Sequence, residues 1–194
     1  MISICVGGGV VGLLSSLLLA QAGHDVVIVD SSSLGCESSW AGGGIVSPLY
    51  PWRYSPAVTA LAHWSQDFYP RLGEQLWAQT QIDPEVYVTG LYWLDLDDES
   101  KALAWAEREC RSLKQIAVAA VQRAVPALAA GFERAVHMVD VANVRNPRLV
   151  KALRAALQQM PNVTLYEQCA VSGFIREGGR IKGVRTVQGD MYAD

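Results

Sequence analysis

No lysine or arginine occurs before Arg53. A secretory leader needs a positively charged start, so the apolar run at residues 10–22 is expected to stay in the folded protein. This holds although Ala20-Gln21-Ala22 imitates a cleavage site. The same run is too short and too interrupted, by Gly12, Ser15 and Ser16, to be read as a membrane span. Histidine is scarce: His24, His63 and His137 lie far apart and form no metal-ligand spacing, so no metal site is expected. The four cysteines, Cys5, Cys36, Cys110 and Cys169, include no C-x-x-C pair, and free thiols in a reducing cytoplasm are expected. Charge is sparse and has no basic block; the net value of −3 gives no reason to expect nucleic acid or an anionic membrane surface as partner. Tryptophans recur from Trp40 to Trp77, but their flanking sequences do not, which excludes a repeat architecture.

What the chain does have is glycine and apolar side chains. Hydrophobic residues make up 51% of its 194 positions, enough for the cores of one or two small domains. The first thirty residues carry the sharpest pattern. Ile2-Ser3-Ile4-Cys5-Val6 reads as a buried strand, Gly7-Gly8-Gly9-Val10-Val11-Gly12 follows at once, an apolar helical stretch runs to Gly23, and a second strand at residues 25–29 ends in Asp30. Strand, G-x-G-x-x-G turn, helix and a terminal acid together form a dinucleotide fingerprint. Each glycine has a separate task. Gly7 allows the sharp turn, Gly9 lets a pyrophosphate approach the backbone, and Gly12 lets the helix pack closely on the strand. The helix N-terminus offers unpaired N–H groups to phosphates. Asp30 stands where a carboxylate accepts ribose hydroxyls.

The segment after Asp30 bears on the kind of nucleotide. An NAD-type unit continues with a helix and a third parallel strand, whereas this chain enters a second Gly/Ser-rich stretch, residues 31–48. Such a stretch brings backbone N–H groups and small hydroxyls against another part of a large cofactor. Farther on, residues 56–80 read as a helix whose apolar face is Ala57, Leu61, Trp64, Phe68 and Leu72. A strand is expected at 87–96, a helix at 101–115, a short helix at 121–128 broken by Pro126, and a strand at 135–144. Asn146-Pro147 opens a helix to about residue 159, followed by a strand at 163–166 and a hairpin turning at Gly178-Gly179. The expected fold is α/β: a Rossmann-like FAD-binding domain with a β-meander, interrupted by an α+β portion of a substrate domain. The expected boundaries are 1–45 for the first part of the FAD-binding domain, 46–145 for the partial substrate domain and 146–194 for the continued FAD-binding domain. An interrupted nucleotide domain suits a flavin better than NAD.

Four stretches together resemble the D-amino-acid-oxidase superfamily of flavoproteins, and within it the glycine-oxidase branch. They are GGGVVG at 7–12, SSWAGGGIVSP at 38–48, LYPWRY at 49–54 and VRNPRL at 144–149. The resemblance implies FAD as cofactor. It implies oxidative deamination of glycine or a similar small amine by oxygen, to imine or glyoxylate, ammonia and hydrogen peroxide, in the thiazole branch of thiamine biosynthesis. By the same resemblance Gly7, Gly9, Val10, Val11 and Gly12 would meet the pyrophosphate, and Asp30, with Ser31 beside it, the adenosine ribose. Ser38 and Ser39 would bond phosphate or ribityl oxygens. Gly42, Gly43, Gly44 and Ile45 would run past the ribityl chain and flavin ring, and the Val171 backbone would meet adenine. A homo-oligomer is implied for the full-length protein, and the free cysteines give the cytoplasm as its expected place.

Members of the superfamily are much longer than this chain. It is therefore expected to represent an N-terminal half, with the arginine for the substrate carboxylate in the other half. A half is expected to expose a sheet edge, to bind FAD weakly and to show little oxidase activity by itself. No catalytic residue is nominated. Arg53 is the one local cation suited to a carboxylate, yet a loop arginine engaged in ordinary structural bonds is the preferred reading. Tyr50, Trp52 and Tyr54 are read as packing before substrate lining. A D-amino-acid dehydrogenase or a sarcosine-oxidase-like flavoenzyme is the near alternative, and a non-catalytic nucleotide-binding fragment the distant one.

Overall fold

Two groups of strands and helices divide the chain in the computed structural model, which describes all 194 residues, Met1–Asp194. The elements begin β1 (Ile2–Val6), α1 (Val10–Gln21), β2 (Asp25–Val29), α2 (Ser38–Ala41), β3 (Ile45–Val46) and α3 (Pro56–Thr80). They continue β4 (Tyr87–Val88), β5 (Leu91–Leu94), α4 (Glu99–Arg108), β6 (Lys114–Ile116), α5 (Val118–Ala124), β7 (Ala135–Met138) and β8 (Ala142–Asn143). The last are α6 (Asn146–Gln158), β9 (Val163–Tyr166), β10 (Val171–Glu177), β11 (Arg180–Thr186) and β12 (Gly189–Tyr192). One unit holds Met1–Gly43, Leu72–Glu85 and Arg145–Asp194; the other holds Gly44–Arg71 and Val86–Val144. No helix is long and apolar enough to cross a membrane.

The first unit is built on a parallel sheet in the order β1-β2-β9. Parallel neighbours require crossover connections, and α1 supplies one between β1 and β2. Helix α6 leads into β9, with Pro147 in its first turn as the sequence predicts. Its buried residues Leu149, Leu153, Ala156 and Leu157 recur at three- and four-residue spacing and give it one apolar face. Leu13, Leu17 and Ala20 of α1 and Val26, Ile28 and Val29 of β2 are buried too. Asn162 donates to the carbonyls of Ala20 and His24, which ties the start of β9 to the end of α1. A second sheet, β10-β11-β12, is the expected antiparallel meander. Its first turn has Gly178 at φ 57° and Gly179 at φ 77°, the pair of positive φ values that a tight hairpin needs.

The second unit holds two antiparallel sheets, β3-β8-β4 and β5-β7-β6. Its core is Trp93, Leu96, Ala102, Trp105, Ala106, Leu113, Val136, Met138 and Val141. Four expectations are corrected here. The strand expected at 87–96 is two strands in different sheets, because Gly90 at φ 75° turns the chain between them. The strand expected at 135–144 likewise splits into β7 and β8, and Thr89 and Gly90 both donate to the Val141 carbonyl at the break. The helix expected at 101–115 ends at Arg108. Cys110 takes φ 53°, Cys110 N donates to Glu107 O and Arg111 N to Ala106 O, a Schellman ending with cysteine where glycine is usual. The freed residues 114–116 pair with β7 instead. The short helix expected at 121–128 lies at Val118–Ala124, since the residue before Pro126 is driven out of helical conformation.

Helix α3 is present at the expected residues, and its apolar face lies largely open: Leu61 is 69% and Trp64 60% exposed, and only Leu72 is deeply buried. The turns between them bury Thr59 and Gln66 instead, and Arg111 bonds the Gln66 side-chain oxygen, so the polar group keeps a partner out of water. Trp64 and Phe68 stack at 4.9 Å and shield each other. Apolar periodicity names a face of the helix without saying which face meets the core.

Ser16 on α1 is fully buried and its hydroxyl has no partner. Ser16→Ala removes an unsatisfied donor and installs a stronger helix former, so stability is expected to rise by about 1 kcal/mol. A lower midpoint in thermal unfolding would show instead that a bound water serves the hydroxyl.

Candidate functional site

The glycine turn is where the first unit is most tightly constrained. Gly7 has φ 101°, and its N–H donates to Val29 O at 2.8 Å, across the β1–β2 pair. A Cβ on Gly12 would stand 1.9 Å from the Gly7 carbonyl oxygen, so the first turn of α1 lies directly on the chain leaving β1. A Cβ on Gly8 would stand 2.0 Å from the Leu34 side chain. Helix α1 begins with no acid in its first turn. The first intrahelical bond is Leu13 N to Gly9 O, which leaves the N–H groups of Val11 and Gly12 without acceptors. The Val10 N–H donates to Ser39 Oγ at 2.9 Å, across 29 residues of sequence.

Asp30 closes the site from the other strand. Its Oδ2 accepts from Gly8 N at 2.6 Å, and its Oδ1 accepts from Ser32 N at 2.8 Å and from Ser32 Oγ at 3.1 Å. Between this carboxylate and the start of α1 lies an open cleft of about 120 Å³ lined by Gly9, Asp30, Ser32, Ser33, Gly35, Cys36, Glu37, Ser38 and Ser39. Gly35 is held at φ 73° against Val150, where a Cβ would stand 1.8 Å from a methyl carbon. Glu167 accepts from Leu34 N at 2.8 Å and pairs with Arg154, so the wall of the cleft is braced from behind.

Of the residues expected in the site, Gly9, Asp30, Ser38 and Ser39 line this cleft. Gly7 and Gly12 form the turn beneath it, and Val10 joins through its N–H to Ser39. Val11 and Ser31 are exposed and outside the lining. Gly42 sits over Asn146, where a Cβ would stand 2.4 Å from its side-chain nitrogen, and Gly43 has open space. Gly44 and Ile45 belong to the other unit, and Val171 opens β10 opposite Thr186. Ser32, Ser33, Gly35, Cys36 and Glu37 line the cleft without having been singled out; the Ser/Gly run that carries them was the available signal.

In the second unit, Arg53 is already engaged. Its Nε and Nη2 donate to the two oxygens of Asp98, each at 2.8 Å, a fork geometry stronger than a single bond. The guanidinium lies 4.1 Å over the Tyr50 ring. Trp52 Nε1 donates to the same Asp98 at 2.9 Å and meets Trp93 edge-on at 5.4 Å, and Trp93 Nε1 donates to Leu49 O at 2.9 Å. The segment 49–53 is thus latched to the start of α4. Tyr50 and Trp52 pack as expected, and Tyr54 is exposed.

Residues 4–193 match the family described as DAO, FAD dependent oxidoreductase. The chain belongs to that family. Among curated relatives, the glycine oxidase of Pseudomonas putida is 62% identical over 191 residues, which are 98% of this chain and 52% of that protein. The glycine oxidase of Pseudomonas aeruginosa is 58% identical over the same shares. The crystal structure of glycine oxidase from Bacillus cereus superposes with a TM-score of 0.86 at 26% identity, covering 98% of this chain and 52% of that one. The chain spans about half the length of the curated relatives it matches. The family depends on FAD, and the residues here fit a dinucleotide: a helix start with two free N–H groups and no acid, a glycine turn that a Cβ would block, and an acid at the end of β2.

Two substitutions test this architecture. Gly12→Ala is expected to cost about 1–3 kcal/mol, because backbone must move to admit the methyl group; unchanged chemical unfolding would refute the close approach. The Asp98 carboxyl is held down to about 2, chiefly by its hydrogen bonds from Arg53, with burial opposing and Trp52 adding. Its folded value lies below the unfolded one of about 3.9, so the stability it contributes is complete above that pH and is lost as pH falls through about 2. Asp98→Asn is expected to flatten the fall of stability across that window, followed by urea unfolding at several pH values. An equally steep fall in the variant would assign it to other carboxylates.

Proposed function

We propose that this chain carries the FAD-binding cleft and part of the substrate region of an FAD-dependent amine oxidase, whose substrate is glycine or a similar small amine and whose electron acceptor is oxygen. The single observation that carries the reading is the cleft: glycine turn, open α1 start, Ser39 and Asp30 meet at one place in a chain 62% identical to a glycine oxidase over 98% of its length. That both Pseudomonas relatives are glycine oxidases supports the substrate class. The first unit is read as the nucleotide-binding domain and the second as substrate-domain structure. A cytoplasmic place and a homo-oligomeric state belong to the same reading.

When bound, FAD supplies the two-electron acceptor for oxidation of the amine. The chain's own residues bind and orient. The free N–H groups of Val11 and Gly12, at the positive end of α1, would take the pyrophosphate. Ser38 and Ser39 would offer hydroxyls beside it. Asp30 would accept from the ribose while holding the glycine turn through Gly8 N. Gly42, Gly43, Gly44, Ile45 and the Val171 backbone would serve the remaining parts of the cofactor. Arg53 is assigned no substrate role, since its charge is spent on Asp98.

Titration of the protein with FAD is expected to give saturable quenching of flavin fluorescence. Absence of saturation would overturn the cofactor assignment. Peroxide release with glycine is expected to be slight for this half by itself, and strong amine-dependent release would overturn that expectation; oxygen uptake separates an oxidase from a dehydrogenase.

A further inference from the structure

We propose that Glu37 is a second hydroxyl-binding carboxylate of the cleft, which together with Asp30 grips the two ribose hydroxyls of the adenosine part of the cofactor. The inference rests on reading the cleft as the nucleotide site. Three observations lead to it.

Glu37 lines the cleft with Asp30 and Ser32. Its side chain leans toward the Asp30 end, because Ser32 Oγ contacts Glu37 Oε1 at 3.1 Å. Ser39, two residues on, is committed to the opposite end at the Val10 N–H. The carboxylate therefore stands beside the ribose acceptor and away from the helix start where phosphates are favoured.

The protons do not balance within the chain. Ser32 Oγ stands 3.1 Å from Asp30 Oδ1 and 3.1 Å from Glu37 Oε1, yet a hydroxyl has one proton to give. Asp30 is otherwise served, by Gly8 N and Ser32 N. Glu37 has no other side-chain bond and forms no ion pair with a cationic side chain. Asp30 thus accepts three bonds and keeps about one lone-pair site for a ribose hydroxyl, and Glu37 keeps the larger share of accepting capacity facing the cleft.

The ligand that completes this arrangement must bring donors and no negative charge. A vicinal diol does so: it offers two O–H groups to two acceptors that one hydroxyl now bridges, each at an ordinary distance of about 2.7 Å. A phosphate on either ribose hydroxyl would set its charge against both carboxylates. Glu37 thus makes the cleft selective for a ribose with both hydroxyls free.

The test is calorimetric titration of the wild-type chain, Glu37→Gln and Glu37→Asp with FAD, ADP, 2′-deoxy-ADP and 3′-deoxy-ADP. Glu37→Gln is expected to weaken FAD and ADP by about tenfold, the scale of one hydrogen bond to a charged group, with partial recovery in Glu37→Asp. One deoxy analogue is expected to bind wild type worse than ADP does, and to lose that disadvantage in Glu37→Gln, since the two changes remove the same bond. A surface carboxylate that merely repels phosphates predicts the opposite sign. Unchanged or tighter binding of FAD by Glu37→Gln, with native circular dichroism, overturns the proposal while the flavin reading stands. If wild type binds neither FAD nor ADP, the flavin reading fails and the proposal falls with it.

Discussion

The start of α1 rests on the carbonyl of Gly7, and the first unit depends on that contact. Only a residue without Cβ at position 12 permits it. The contact sets where the helix begins, and so where its unpaired N–H groups point. The β1–β2 register then carries the geometry across the sheet. Val6 lies opposite Val29, Gly7 N bonds Val29 O, and the next residue, Asp30, arrives within reach of Gly8 N. One close approach and one register thus bring a helix start with free N–H groups and a carboxylate to the same cleft. The 31–39 segment completes it by folding back to place Ser39 on Val10 N–H, while its stem is braced by Glu167.

The parts of this that could be read in the sequence are those where local chemistry leaves no choice. The strand-glycine-helix-strand pattern, Pro147 at the head of α6 and the Gly178-Gly179 hairpin each follow from backbone sterics, and each is present. The losses occur where a long-range partner decides. The helix ending at Cys110 depends on a left-handed cysteine, a conformation that no local signal announces. Residues 114–116 become a strand because β7 accepts them. The exposed stripe of α3 keeps the period of a buried face, and the side that is buried instead owes its place to Gln66 and Arg111, residues 45 apart. Within the cleft, Asp30 was legible because position along the fold defines it. Ser32 and Glu37 were hidden in a run of similar residues whose loop path only the folded chain displays.

Charge in the second unit follows a different logic from charge in the cleft. Arg53 is forked to Asp98, Arg111 is tied to Gln66 and near Asp140, Arg134 faces Glu99 and Arg108 pairs with Glu109. The first three latch a loop to a helix, and the Nε–Nη2 edge of Arg53 is filled by the Asp98 carboxylate. In the cleft of the first unit, by contrast, Asp30 and Glu37 form no ion pair with a cationic side chain, and at the start of α1 beside it Val11 and Gly12 keep free N–H groups. In an open cleft such polar capacity is served by water, which a ligand with matching donors and acceptors can displace. Its concentration at one cleft, while the neighbouring unit spends its charges on itself, is the physical reason to locate the chain's ligand there, and to look for donors of hydroxyl type at one end and an anion at the other.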